Sequence, residues 1–200
     1  MTRNEVERIE KEAIRKGNWK AVEKAAKAGN QKDLVAYGSV EFRRRMAHHH
    51  ICLEELVYDE SVYVRKAVVY AGYGFDILID DPDERVRMAI AYKGYGLDQL
   101  VNDESWKVRC AVASISNHYI DILSNDDCWH VRKIVASKCT DTRFFSDRNK
   151  DVRETARHQY IKNHKCPVHE YIYHDPIETR QDYISSYNYD GYSEDYYDYN

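Results

Sequence analysis

Residues 81–96 read DPDERVRMAIAYKGYG, and the chain says nearly the same thing before and after. Residues 59–74 read DESVYVRKAVVYAGYG, and residues 103–118 read DESWKVRCAVASISNH. In each case an Asp stands five residues ahead of a Val-Arg pair. The same offset recurs for Asp126 with Val131-Arg132 and for Asp147 with Val152-Arg153. The valines are spaced 22, 22, 23 and 21 residues apart. One period upstream, Phe42-Arg43 fills the slot, with Tyr37 where the Asp belongs, and weaker echoes reach back to Asn18. A period near 22 held over five copies predicts an all-α solenoid.

Each unit has a mechanical reading. Asp59, Asp81, Asp103, Asp126 and Asp147 are expected to cap the N-terminus of a helix by accepting from its unpaired N–H groups. In DPDE the signal is strongest, with Asp81 as cap, Pro82 at the first helical position and Glu84 at the third. Counted from the Asp, Val64, Ala67, Val68 and Ala71 fall on one helical face, as do Val86, Ala89 and Ile90. Gly72 and Gly94 suit a left-handed helix stop. Leu56, Leu78, Leu100, Leu123 and Phe144 precede each Asp by three residues. Leu53, Phe75, Leu97 and Ile120 come three earlier, which makes a short helix with one apolar edge. A short helix and a longer one cannot bury these edges alone, whereas stacked units share a continuous core.

This pattern, D-P/E-x-x-x-V-R-x-A-V/I-A with a Leu before each Asp, resembles the leucine-rich repeat variant and short HEAT-like repeat families over about residues 37–160. The resemblance implies a right-handed helical superhelix that serves as a binding scaffold. Only Pro82 keeps the proline of that pattern. Some relatives carry an iron–sulfur cysteine cluster before the repeats; here no cysteine precedes Cys52, so no cofactor is expected.

The rest of the chain divides around this block. Residues 1–36 are expected to form N-terminal capping helices, with a capping box from Thr2 to Glu5, stops at Gly17 and Gly29, and Asn18 as a second cap. The repeats run over 37–163. Residues 164–200 form an acidic, tyrosine-rich tail without periodicity, for which disorder is the natural expectation. From Pro167 onward there are eight acidic residues against Arg180 alone, and half of the 18 tyrosines. The net charge of −4 therefore hides a body of about +3. No apolar stretch is long enough for a membrane span, the charged start lacks a signal-peptide core, and five scattered cysteines argue for a reducing compartment. A cytoplasmic location without membrane contact is expected.

Function is sought on the surface. The repeated Arg is expected to pair with the Asp of its own or an adjacent unit, since its slot borders the apolar stripe where a long stem packs. Positions 4, 7 and 11 after each Asp share a face turned away from the core. They include Arg44, Tyr63, Lys66, Tyr70, Arg85, Tyr92, Lys107, His130 and Lys133, bordered by Trp106 and Trp129. With histidines neutral the stripe holds five positive charges against one negative, Glu41. Such a face suits an acidic protein segment or, alternatively, a nucleic-acid backbone. The chain's own acidic tail is a third candidate ligand. His164, Cys166, His169 and His174 are the weakest candidates, being acceptable zinc ligands but without a Cys-x-x-Cys or zincin spacing, so no metal is expected. Adjacent helical residues cannot jointly clasp an ion, which disposes of His48–His50. Neither GYG turn continues into a phosphate loop, and no nucleophile elbow occurs. The expectation is a non-catalytic scaffold or adaptor, not an enzyme.

Overall fold

Apolar residues recurring at helical spacing govern the whole described chain, and a computed structural model shows the outcome. The structure describes residues 1–164, all-helical, with no strand among them. Met1–Tyr160 form one compact unit, and a second begins at Ile161. The expected disorder of the tail and the candidate ligands Cys166, His169 and His174 lie outside the described residues, as does the side chain of His164.

Three helices come first: α1 (Arg3–Lys16), α2 (Lys20–Lys27) and α3 (Gln31–Tyr37). The Thr2–Glu5 capping box forms on α1, and Gly17 ends it in the left-handed region at φ 65°. Asn18 does not cap α2; the residue before that helix is Trp19, which is buried and stacks on Phe42. Burying the indole takes precedence over a side-chain cap.

Long helices then alternate with short ones. The long ones are α4 (Val40–His48), α6 (Val62–Tyr70), α8 (Glu84–Tyr92), α10 (Trp106–Ile115), α12 (Trp129–Lys138) and α13 (Lys150–His164). Between them lie α5 (Leu53–Leu56), α7 (Phe75–Leu78), α9 (Leu97–Leu100), α11 (Ile120–Leu123) and a 3₁₀ turn, η1 (Thr142–Ser146). From α4 to α12 each long helix packs on the next long helix, and each short helix packs on the long helices beside it. Val64, Val68, Val86, Ile90, Val108, Val112, Val131 and Val135 are buried together with Leu56, Leu78, Leu100 and Leu123. Each fully buried side chain of this kind contributes roughly 1.5–3 kcal/mol.

Two turns need glycine for space as well as for conformation. Gly74 and Gly96 have φ of 70° and 60°, and a Cβ on them would collide with the side chains of Val57 and Ile79 from the preceding unit. One period earlier, His50 and Cys52 hold the same left-handed turn at φ 56° and 57° without being glycine.

The five aspartates are not N-caps, which corrects the sequence reading. Helix α6 is preceded by Ser61, α8 by Asp83, α10 by Ser105 and α12 by Cys128, two residues beyond the Asp in each case. Each Asp accepts instead from the N–H of that later residue: Asp59 from Ser61 at 2.8 Å, Asp81 from Asp83 at 2.9 Å, and Asp103, Asp126 and Asp147 from Ser105, Cys128 and Asn149 at 2.8 Å. Both oxygens of each carboxylate are also taken by an arginine of the preceding unit, so the Asp is drawn to the joint between units. In DPDE the helix cap is Asp83, whose Oδ1 accepts from the N–H of Arg85, and Glu84 becomes the first helical residue.

Candidate functional site

Two sets of basic residues rise from the same long helices, one or two residues apart in sequence, and they end in different places.

The first set is the arginine that follows each Val, or Phe42 in the first unit. It emerges at the edge of the buried face, with its stem packed and its guanidinium reaching the next unit. Arg43, Arg65, Arg87, Arg109 and Arg132 each grip one carboxylate with two parallel N–H bonds. The Nε distances are 2.6 Å to Asp59, 2.6 Å to Asp81, 2.7 Å to Asp103, 2.6 Å to Asp126 and 2.7 Å to Asp147. The Nη2 donors lie 2.9–3.1 Å from the other oxygen. The third corner is also used. Nη1 of Arg65, Arg87, Arg109 and Arg132 donates to the backbone carbonyl of its own unit's Asp at 2.7–2.8 Å, and Arg43 donates to Gly38 O at 2.8 Å. Both halves of the expected pairing, own unit and adjacent unit, are therefore present at once. Fork-to-fork pairs of this kind are the strong form of charge-assisted hydrogen bond. Asp147 is held below the usual carboxylate range, first by its hydrogen bonds from Arg132. In these five arginines the row is structural cement, with each Nε–Nη2 fork already filled by a carboxylate.

The second set lies on the outer face. Arg85 stands 5.5 Å over the ring of Tyr63, which is 57% exposed, and also pairs with Asp83 at 2.8 Å. Lys66 lies 5.9 Å from the ring of Tyr70 and Lys93 lies 5.5 Å from it, with Lys93 Nζ also donating to Tyr70 O. Further along, the His130 ring is stacked on Trp106 at 4.6 Å and on Trp129 at 3.7 Å. Lys133 stands 5.8 Å over the Trp129 ring. Partial burial, and then the charge of Lys133, push the imidazole of His130 below its ordinary range, which favours the neutral ring. Cys128 Sγ is 3.5 Å from Nδ1 of the same ring. Cation–ring contacts of this kind stabilise by roughly 0.5–1 kcal/mol where exposed.

The structure thus brings most of the predicted stripe together across successive helices, and it corrects the charge. Lys107 pairs with Glu84 at 2.6 Å and Arg44 with Glu41 at 2.9 Å. Arg44 takes no part in the ring–cation contacts made by Lys66, Arg85 and Lys133. With Arg85 on Asp83, three of the five stripe cations are neutralised by carboxylates. Lys66 and Lys133 make no ion pair among the described residues. Tyr92 is exposed at 38% on the same face.

Sequence reasoning missed Lys93, which stands where Ala71 continues the apolar face one unit earlier. Its place is twelve after Asp81, and Lys138 holds the same place after Asp126. Lys138 Nζ donates to Ser114 O as Lys93 does to Tyr70 O, so each secures a carbonyl near the end of the preceding long helix. Glu84 was also misjudged as a capping-box member, whereas it serves Lys107 and the Ser105 hydroxyl. The spacing of 23 and 21 residues, equal to one period, was the signal for both.

No family model, curated protein or solved structure matches the chain. Among the described residues no three His, Cys, Asp or Glu side chains are grouped to hold a metal ion, and no helix is long and apolar enough to cross a membrane.

Proposed function

We propose that the units stack as a right-handed α-solenoid and that the chain is a non-catalytic protein-binding scaffold or adaptor in the cytoplasm. One observation carries this reading. The outer face of the long helices carries three groups of aromatic rings in contact with cations, in which Lys66 and Lys133 have no carboxylate partner among the described residues. An acidic segment laid across the helices meets an unneutralised ammonium at either end. Between them it meets Tyr63, Tyr70, Trp106 and Trp129, which give apolar contact area at low cost in side-chain entropy. The neighbouring cations are already paired, so each added carboxylate has only two places to go. That limits non-specific attraction and gives the face a register.

The Trp106–His130–Trp129 stack favours a second reading, in which bases of a single-stranded nucleic acid stack there and phosphates meet the lysines. The two separate in one titration. Trp106 and Trp129 are half-exposed reporters, while Trp19 is buried at 8% exposure and contributes a constant background. A glutamate–tyrosine copolymer and an oligothymidylate are titrated against indole fluorescence at two salt concentrations. The scaffold reading expects the copolymer to bind, with affinity that falls only modestly as salt rises, because salt screens the two ammonium contacts but not the ring contacts. The second expects the oligonucleotide to bind, with affinity falling steeply as salt rises. Failure of both ligands overturns the stripe as an interface.

A further inference from the structure

Among the described residues the arginine row has six members but only five carboxylates. Arg153, on the first turns of α13, repeats the pose of its predecessors at one corner. Its Nη1 donates to Asp147 O at 2.9 Å and to Arg148 O at 3.4 Å, as the other four donate within their own Asp loops. The opposite edge differs. In the five earlier units Nε and Nη2 hold an Asp of the next unit, and Arg153 has no carboxylate partner among the described residues. The backbone bonds thus fix the guanidinium of a half-buried side chain whose fork holds no carboxylate among the described residues.

We propose that this end of the chain of units docks an acidic loop from another protein. An Asp carboxylate of that loop takes the Arg153 fork as Asp59, Asp81, Asp103, Asp126 and Asp147 take the earlier ones. The molecule itself describes the ligand five times. In each copy the Asp is in a turn, one of its oxygens accepting from the N–H two residues on. Twice a Glu follows the Asp and reaches the same guanidinium, Glu60 at 3.4 Å from Arg43 and Glu104 at 3.3 Å from Arg87. The recognised element is therefore an Asp-Glu-Ser type of turn.

Two observations decide what kind of partner carries it. The described part of a second copy of this chain does not fit, because all five of its turns of this form among the described residues already hold its own arginines, and the first unit has Tyr37 in the Asp slot. Nor does a further stacked helix of the same kind. Ten residues after the Asp, the long helices bury Val69, Ala91, Ala113 and Ala136, and α13 has the half-buried Arg157 there. The helix contact ends at this position, while the guanidinium contact remains available. What docks is a polar loop, held by one bidentate pair and its backbone.

The probe is an end-blocked peptide copying residues 100–105, LVNDES, added to the full 200-residue chain. Binding is followed by NMR of the arginine Nε–H groups. The expected result is a shift of the Arg153 resonance at up to about millimolar peptide, with the five paired arginines unmoved, and affinity lowered about tenfold or more by Asp→Asn in the peptide or by Arg153→Lys. Circular dichroism of the Arg153→Lys protein checks that the helices remain. No shift at Arg153, or a shift indifferent to the Asp→Asn change, overturns the proposal. So does a peptide that moves the Nε–H of Arg85, over Tyr63, instead, since that result places acidic peptides on the outer face only.

Discussion

Arg87 and Arg85 are two residues apart on one helix, and they have opposite fates. Arg87 is 7% exposed and makes four hydrogen bonds, three of them to Asp103 and Glu104 of the next unit and one to the Asp81 carbonyl of its own. Arg85 is exposed, lies over Tyr63, and spends its charge on the local Asp83. The difference is set by two residues of helical rotation, about 200°, which turns one stem along the apolar edge and the other into water. The lesson is that cation count says little about a binding surface. What matters is whether the carboxylate that answers each cation lies in the same unit, in the next unit, or nowhere in the described chain.

Breaking the inner member should have the largest effect. Arg87→Met leaves Asp103 nearly buried and without its fork, and removal of one partner of such a pair costs about 3 kcal/mol or more. Chemical denaturation of the full chain checks this, and the loss should change little with added salt, because the pair is shielded from solvent. Arg85→Met, the outer control, should cost under about 1 kcal/mol. Equal losses at the two positions would erase the distinction between them.

The next test sharpens the outer face. Reversing both Lys66→Glu and Lys133→Glu should abolish copolymer binding, while stability stays within roughly 0.5 kcal/mol, as for most exposed substitutions. Reversing Lys107 instead should have a much weaker effect on binding, since its charge is already answered by Glu84. A binding assay of the three proteins side by side checks the order.

A double-mutant cycle of Arg65→Met and Asp81→Ala should show a coupling of roughly 1–3 kcal/mol, against a few tenths for Lys107 and Glu84. The smallest effect is on pH. Arg85, through its guanidinium and its N–H, holds Asp83 at about 2. A carboxyl depressed in the folded state contributes stability that is complete above its ordinary value, about 4, and is lost as pH falls through the folded value. Asp83 should thus weaken the fold only between about pH 4 and about pH 2. Asp147 is likewise held low by Arg132 and should also protonate below the ordinary range. Carboxyl-carbon NMR titration checks both.

Much of this was legible in the sequence. The buried Val, Ala and Leu positions, the helix stops at Gly72 and Gly94, and the Asp–Arg link all follow from period and spacing. The exact helix starts did not, because DPDE offers Asp81 and Asp83 as equally good caps. Only the arginine sixteen residues earlier in the chain draws Asp81 away from that role. The neutralisation of Lys107 was hidden for a similar reason. Glu84 looks local in sequence, and its partner is one period distant. Pairings across neighbouring helices depend on how far two faces are rotated toward each other, which a single-unit pattern does not specify. The all-helical character was readable, whereas the stacking into a solenoid and the partner it serves remain proposals.

The position of the arginine row has a mechanical consequence. Five bidentate pairs lie at equivalent joints between consecutive units, and each pair resists being pulled open but not being rotated about the line joining its two groups. Flexing that separates an Arg from its Asp must stretch short, strong bonds, whereas flexing that pivots about the row stretches only dispersion contacts between helices. Each joint is therefore stiff in one direction and compliant in another. A load applied across the units should be released one joint at a time, giving stepwise rupture in a single-molecule pulling trace and no single collapse.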